Sequence, residues 1–163
     1  MRVGVVSDTH NNIKNIEKII KLFNFEKVEL VIHTGDISSA KALDKFSDLN
    51  CNLIGVFGNN DRNEIGIEAA AQRNNFQFQE PPKLVNLNLK KIAIFHEPDF
   101  IDDFLLKNKE IDIVVHGHTH RYRNEVRNGV MIFNPGECAG MFTGTNAIGI
   151  LDLKKLETKR IFF

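Results

Sequence analysis

Short apolar runs alternate with amphipathic segments along the first third of the chain. Arg2–Ser7 is rich in β-branched residues and predicts a buried strand. Asn12 precedes apolar residues at helical spacing and is the predicted N-cap of a helix. The apolar positions of that helix are Ile13, Ile16, Ile19, Ile20 and Phe23. Val28–His33 and Asn52–Phe57 predict two further strands, with a helix over Ser39–Phe46 between them. This alternation favours right-handed crossovers and a largely parallel sheet.

The rest of the chain has a more antiparallel pattern. A helix is predicted near Glu64–Arg73, Pro81-Pro82 then breaks the chain, and another helix follows at about Phe100–Lys107. Asn128-Gly129 is a strong hairpin-turn signal between the predicted strands Tyr122–Arg127 and Val130–Phe133. The predicted strands are Leu84–Leu89, Lys91–Phe95, Ile111–His116, Tyr122–Arg127, Val130–Phe133, Ala147–Leu153 and Leu156–Phe162. We therefore expect an α/β fold of two packed mixed β-sheets with helices on their outer faces.

Length and charge narrow the function classes. The 163 residues are a normal length for one domain, and no linker or repeat interrupts them, so we expect a single domain over residues 1–163. No apolar run reaches the length of a membrane span or a signal peptide, which leads us to expect a cytoplasmic protein. With 21 basic and 21 acidic residues, no overall charge favours nucleic acid. The two cysteines, Cys51 and Cys138, have no zinc or redox spacing and are expected to be reduced.

Polar side chains that can bind metals recur where predicted strands end. They are Asp8, His10, Asp36, Asn59, His96, His118 and His120. Crevices at the carboxyl ends of strands are the usual ligand sites of open α/β sheets, so five loops could converge there. Carboxylates, imidazoles and an amide oxygen without any thiolate suit Mn, Fe, Co, Ni or Zn better than Ca. Seven donors are too many for one such ion and fit two ions that share a carboxylate.

The spacing of these residues is more specific than their types. The motifs are Asp8-x-His10, Gly35-Asp36, Gly58-Asn59-x-Asp61, a lone His96 and Gly117-His118-x-His120. In this order they resemble the calcineurin-like metallophosphoesterase family, whose fold is a four-layer sandwich. The short length and the Asn134-Pro135-Gly136 turn are similar to its small prokaryotic phosphodiesterase branch.

The resemblance implies a ligand set and a reaction. One divalent ion would be held by Asp8, His10 and His120, the other by Asn59, His96 and His118, and Asp36 would bridge them. Manganese is the expected metal, with nickel, iron, cobalt and zinc as alternatives. The implied enzyme is a hydrolase of small phosphodiesters, in which a hydroxide that bridges the metals attacks phosphorus in line. Asp36, Asn59 and His96 are its expected catalytic residues.

Two other function classes stay open at this point. The family's fold also serves as an interaction scaffold in the retromer coat, where the metal motif is degraded. A metal-dependent nuclease is the other alternative, although the balanced charge argues against it. The sequence does not indicate an oligomeric state.

The sequence departs from the family pattern at two positions near the site. Asn60 stands where the family's phosphatases and nucleases usually have a histidine that assists the leaving group, so efficient hydrolysis of poor leaving groups is not expected. Glu137 stands where a small polar residue is common. We expect both to contact substrate, together with Asn11 and Ser38. The remaining two histidines of the chain, His33 and His116, lie inside apolar runs and are expected to be buried.

Overall fold

Eleven strands and four α-helices follow one another along the chain, and the computed structural model describes all of residues 1–163. The helices are α1 (Ile13–Glu26), α2 (Ala40–Lys45), α3 (Ile67–Arg73) and α4 (Ile101–Lys107), and a 3-10 turn over Phe46–Asp48 extends α2. The strands are β1 (Arg2–Val6), β2 (Leu30–His33), β3 (Asn52–Val56), β4 (Gln77–Gln79), β5 (Lys83–Leu87), β6 (Lys90–Ile94), β7 (Ile113–Val115), β8 (Arg123–Arg127), β9 (Val130–Asn134), β10 (Ala147–Asp152) and β11 (Glu157–Phe162).

The strands form two mixed sheets. The six-stranded sheet has the order β11-β10-β1-β2-β3-β4, and the five-stranded sheet has the order β5-β6-β7-β9-β8. Strands β1 to β4 are mutually parallel, as are β6, β7 and β9. Each sheet is completed by antiparallel strands, which form the hairpins β10-β11, β5-β6 and β8-β9 and, in the larger sheet, pair β10 with β1. Because parallel strands end on the same side, the loops after β1, β2 and β3 leave together, and so do those after β6, β7 and β9.

The period-two alternation of strand side chains produces four layers. Residues such as Val3 and Val5 of β1 pack between the sheets against Ile92 and Val115 of the other sheet. The opposite face of the larger sheet is covered by α1, α2 and α3, and the opposite face of the smaller sheet by α4. The predicted architecture of two packed mixed sheets flanked by helices is confirmed. One domain over residues 1–163 stays the prediction from the sequence.

The sequence prediction missed one strand and placed several boundaries differently. Strand β4 was not predicted, because three residues are too short for an alternating pattern to be recognised. It lies at the edge of the larger sheet and pairs with β3. Helix α3 begins at Ile67 rather than near Glu64, since Gly66 precedes it with a left-handed backbone of φ 86°. None of the helices has the length and apolar character needed to cross a membrane.

Candidate metal centre

All seven predicted metal-binding side chains lie together at the carboxyl ends of the parallel strands. The donor atoms of Asp8, His10 and His120 are within 4.8 Å of one another, and so are those of Asp8, Asp36 and His96. Asn59 and His118 complete the cluster, and the Oδ1 atom of Asn59 is 3.1 Å from Nδ1 of His118. Loops that are more than 100 residues apart in sequence meet here: His10 Nε2 is 3.3 Å from His120 Nε2. The predicted convergence of five loops therefore occurs.

Asp36 occupies the middle of this cluster. Its Oδ2 atom is 3.7 Å from Nε2 of His10, and its Oδ1 atom is 3.4 Å from Nε2 of His96. The two oxygens thus face histidines from different halves of the cluster, as a bridging carboxylate would require. Burial opposes ionisation of Asp36, but the nearby His96 ring and the two hydrogen bonds that Asn60 donates outweigh it and hold its pKa below the ordinary value.

The second carboxylate, Asp8, is fully buried beside Asp36. Burial raises its pKa, although the Ser7 hydroxyl donates a hydrogen bond to it and partly offsets this effect. The backbone N–H of His118 also points at this carboxylate, 3.2 Å from each oxygen. Two buried carboxylates at this separation repel each other unless cations compensate their charge.

The backbone at the donors is unusual. Five of the seven have positive φ angles: Asp8 (53°), His10 (40°), Asp36 (58°), His118 (67°) and His120 (58°). Only a few per cent of non-glycine residues adopt this region, and such residues cluster at functional sites. The first two loops support each other here, because His10 N–H donates to the Asp36 carbonyl at 3.0 Å and Asp8 N–H to the Gly35 carbonyl at 3.1 Å.

Three glycines lie so close to the donor cluster that a side chain on any of them would overlap it. A Cβ atom at Gly58 would lie 2.2 Å from Asp36 Oδ1, and one at Gly35 would lie 2.6 Å from His96 Nδ1. A Cβ atom at Gly117 would lie 2.0 Å from Ser7 Oγ. Any side chain at these positions would therefore displace a carboxylate, an imidazole or the hydroxyl that supports Asp8. Glycine at these three positions is therefore needed for the donors and their supports to pack as they do.

The buried Asp61 side chain links the loop that carries Asp36 to the loop that carries Asn59. It is 1% exposed, and its carboxylate accepts four backbone hydrogen bonds. Oδ2 accepts from Asp36 at 2.8 Å and from Gly58 at 2.8 Å, and Oδ1 accepts from Ile37 at 2.8 Å and from Ser38 at 2.7 Å. One side chain thereby fixes the loops that carry Asp36 and Asn59 relative to each other.

The hydrogen-bond partners of His96 indicate that the cluster suits cations. The Thr34 carbonyl can only accept, so His96 Nδ1 donates to it at 2.8 Å and Nε2 of a neutral ring presents a lone pair. That Nε2 faces other acceptors, with Asn59 Oδ1 at 3.1 Å and Asp36 Oδ1 at 3.4 Å. Lone pairs that face one another with no N–H or O–H group between them repel, and a cation between them removes this repulsion. The donor set therefore fits metal ions, and imidazole with carboxylate and amide oxygen suits manganese, iron, cobalt, nickel or zinc.

Glu137 fixes His120 in the same way, which corrects the predicted substrate contact. It is 0% exposed and lies behind His120, whose Nδ1 donates to Oε2 at 2.8 Å. His120 Nε2 is consequently left to face the cluster. Burial opposes ionisation of Glu137, but the hydrogen bonds from His120 and Thr143 prevail and lower its pKa to about 2. The reason for the error is that the sequence cannot show toward which side of the loop a side chain points.

The other predicted substrate contacts divide into two groups. Asn60 is exposed and lines the cavity over the donors, where its side-chain amide donates to Asp36 Oδ2 at 2.7 Å. Ser38 instead contacts the His10 ring, with Oγ 3.3 Å from Nδ1. The Asn11 carboxamide accepts from the Ser39 hydroxyl at 2.7 Å. Ser38 and Asn11 therefore support neighbouring residues and do not line the cavity.

His33 and His116 are buried, as predicted. Gly35 N–H donates to Nδ1 of His33 at 3.1 Å, and the opposite nitrogen is 3.1 Å from the Thr9 hydroxyl. Burial lowers the pKa of His33 to about 3 and that of His116 to about 4. Both rings are therefore neutral structural groups near neutral pH.

Comparison with known proteins identifies similar sequences along almost the whole chain. The family model described as the calcineurin-like phosphoesterase superfamily domain matches residues 1–156. Phosphodiesterase MJ0936 of Methanocaldococcus jannaschii is 37% identical over 163 residues, which cover 99% of this chain and 98% of that protein.

Solved structures agree with this likeness. A structure described as a novel archaeal phosphodiesterase has a TM-score of 0.92 and 36% identity, and the alignment covers 100% of both chains. Vps29 of Entamoeba histolytica, solved in complex with zinc, has a TM-score of 0.72 with 16% identity, over 99% of each chain. The likeness to Vps29 is a likeness of fold alone.

Proposed function

This chain belongs to the calcineurin-like phosphoesterase superfamily, and from that premise we propose that it is a metal-dependent phosphodiesterase with two divalent cations. The observation that carries the proposal is the cluster of seven donors around Asp36, whose two oxygens face opposite histidines. The full-length similarity to a protein named phosphodiesterase supports the same reaction class. Small phosphodiesters are the proposed substrates, and the cytoplasmic location stays a prediction.

We assign the cations to the donors as follows. Asp8, His10 and His120 would hold one cation, Asn59, His96 and His118 would hold the other, and Asp36 would bind both. Manganese is the first metal to test, followed by nickel, iron, cobalt and zinc. When bound, a pair of such ions supplies a water of lowered pKa as nucleophile and stabilises negative charge on the phosphoryl group.

The chain's own side chains hold this centre in position. Glu137 and the Thr34 carbonyl fix the rings of His120 and His96 so that the Nε2 atoms face the cluster. Asp61 holds the loops of Asp36 and Asn59 together through backbone amides. These contacts orient the donors before a substrate arrives, which lowers the reorganisation needed during the reaction.

Asn60 limits the leaving groups that the enzyme can release. A carboxamide has no proton to transfer at neutral pH, and its Nδ2 already donates to Asp36. General acid catalysis is typically worth about 10²–10⁴-fold in rate. Without it, the leaving group must carry its own negative charge, so aryl phosphodiesters are the preferred substrates over alkyl ones.

The experiment starts from chelated protein reconstituted with each divalent metal. Phosphodiesters, phosphomonoesters and cyclic nucleotides are assayed at matched pH, and bound metal is counted. We expect two ions per chain and diesterase activity above monoesterase activity. Asp36→Ala should lose both the second ion and the activity, whereas Asp103→Asn, an exposed aspartate on α4, should behave as the parent protein.

Four outcomes would contradict parts of this proposal. Undiminished turnover in Asp36→Ala with two bound ions would remove the role of Asp36. A flat dependence of rate on leaving-group pKa would show that another group supplies a proton, and Asn60→His would then have no effect. Metal binding without turnover of any ester would instead favour a scaffold, and salt-sensitive cleavage of DNA or RNA would favour a nuclease.

A further inference from the structure

The cavity over the candidate metal centre is larger than the donor cluster needs. Its volume is about 580 Å³, within the range of pockets that enclose whole small molecules. One side is formed by the donors and Asn60, and another by Thr119 and Arg121. A third wall is the segment Met141–Thr143, which contributes the only apolar side chains of the lining.

Met141 and Phe142 are exposed to an extent that the fold does not explain. Their exposed fractions are 63% and 76%, although both lie beside a polar site. The Phe142 ring contacts the His120 ring at a centroid distance of 4.5 Å and an interplanar angle of 67°. Phe142 forms no aromatic contact with any other ring of the chain. The two side chains therefore form an apolar wall directly next to a candidate metal ligand.

The backbone of this wall is held by buried charge. The Glu137 carboxylate accepts from the N–H groups of Met141 at 2.9 Å, Phe142 at 3.1 Å and Thr143 at 2.5 Å, and from the Thr143 hydroxyl at 2.7 Å. The same carboxylate accepts from His120. Hydrogen bonds to an ionised group are about twice as strong as neutral ones. The wall and the metal ligand therefore share one anchor, which fixes the wall's position relative to the centre.

We propose that Met141 and Phe142 form a subsite for a flat aromatic group carried on an ester oxygen of the substrate's phosphate. The inference rests on the proposed function and assigns a binding surface to the aryl group of the phosphodiesters preferred there. An aromatic ring is favoured over an alkyl chain because both wall residues interact specifically with aromatic groups. Phenylalanine packs edge-to-face or offset against a second ring, and the methionine thioether makes favourable sulfur–aromatic contacts.

The test compares two ligands that differ only in the group on phosphorus. Phenylphosphonate and methylphosphonate are titrated by calorimetry into the manganese-loaded protein and into the chelated protein. Both carry the same phosphonate head for the metal centre, so their affinity ratio reports the contribution of the ring. Since binding is measured rather than turnover, the result does not depend on how fast any ester is hydrolysed.

We expect phenylphosphonate to bind the parent protein more tightly than methylphosphonate. Phe142→Ala should weaken phenylphosphonate roughly 3- to 10-fold, the range that corresponds to one aromatic pair, and leave methylphosphonate unchanged. Phe142→Leu should lose part of the preference, and Met141→Ala should lose less than Phe142→Ala. Phe25→Ala is the matched control, because Phe25 is an exposed phenylalanine on α1 outside the cavity.

Each remaining outcome overturns the inference. Equal affinity of the two ligands for the parent protein would mean that no aromatic subsite exists. An equal loss for both ligands in Phe142→Ala and Met141→Ala would mean that these residues support His120 and not a ligand. In either case metal-dependent binding of methylphosphonate would leave the proposed function standing. Absence of metal-dependent binding for both ligands would contradict the proposed function itself, and the subsite with it.

Discussion

Replacing Asp61 by asparagine should destabilise the protein and loosen the metal centre together. In the parent protein each carboxylate oxygen accepts two backbone hydrogen bonds. Asparagine retains one oxygen and turns an NH₂ group toward the other two backbone N–H groups. Flipping the carboxamide does not help, because Oδ1 and Oδ2 each serve two donors.

The magnitude follows from the two amides that lose their acceptor. A buried donor without a partner destabilises by about 1–3 kcal/mol, so Asp61→Asn should lower the free energy of unfolding by about 2–6 kcal/mol. At about 2–4 °C per kcal/mol for a chain of this size, the melting temperature should fall by roughly 10 °C. Because all four N–H groups belong to the loops that carry Asp36 and Asn59, the affinity for manganese should also fall in either orientation, by about 10–100-fold.

Urea denaturation of the chelated protein measures the first effect, and calorimetric titration with manganese measures the second. The slope of the unfolding free energy against urea should not change, since the folded state buries the same surface. Asp103→Asn is the control for loss of an exposed aspartate. If the free energy of unfolding of Asp61→Asn lies within about 0.5 kcal/mol of the parent value, the four hydrogen bonds do not stabilise the fold as argued.

Three further predictions concern pH, metal removal and the assignment of ligands. The pKa of Glu137 is about 2 in the folded protein against an ordinary 4.5, so its ionisation stabilises the fold above pH 4.5 and this contribution is lost as the pH falls toward 2. In the chelated protein, the free energy of unfolding should differ between the parent and Glu137→Gln by about 3 kcal/mol at pH 7, and this difference should shrink over that interval. An unchanged difference at pH 2.5 would contradict the prediction. Metal at about 100 times its dissociation constant should stabilise the fold by about 2.7 kcal/mol, so chelation should lower the melting temperature by roughly 5–10 °C, and an unaffected melting curve would argue against a bound cation. Crystals of His120→Ala and His96→Ala soaked in manganese should lose occupancy at different ions, and loss of the same ion in both would refute the grouping.

The order of the strands could not be read from the sequence, although the existence of every strand except β4 could. Apolar runs such as Arg2–Ser7 and Asn52–Phe57 marked strands because a buried strand must be apolar on both faces. Strand β4 escaped detection because its three residues are held by pairing with β3 rather than by a pattern of their own. Local periodicity thus determines where long elements lie, and contacts across the sheet determine the short ones.

The convergence of the candidate metal donors was predictable for a related reason. Residues that follow strands are placed by the strand, so Asp8, Asp36 and Asn59 had to reach one edge of the sheet if the strands were parallel. The residue types then indicated the chemistry. The left-handed backbone at Asp8 and Asp36 was not predictable, because it is imposed by hydrogen bonds from other loops, such as those to Asp61.

The positions of supporting side chains were decided only by the tertiary structure. Glu137 looked from the sequence like a substrate contact, yet it is fully buried and holds His120 and the Met141–Thr143 segment. Its role depends on His120, 17 residues away, and on a loop that folds back over it. Sequence determined the elements and the donor types, because each depends on neighbours along the chain. Which buried group orients which donor depends on contacts between distant segments, and these exist only once the two sheets have packed.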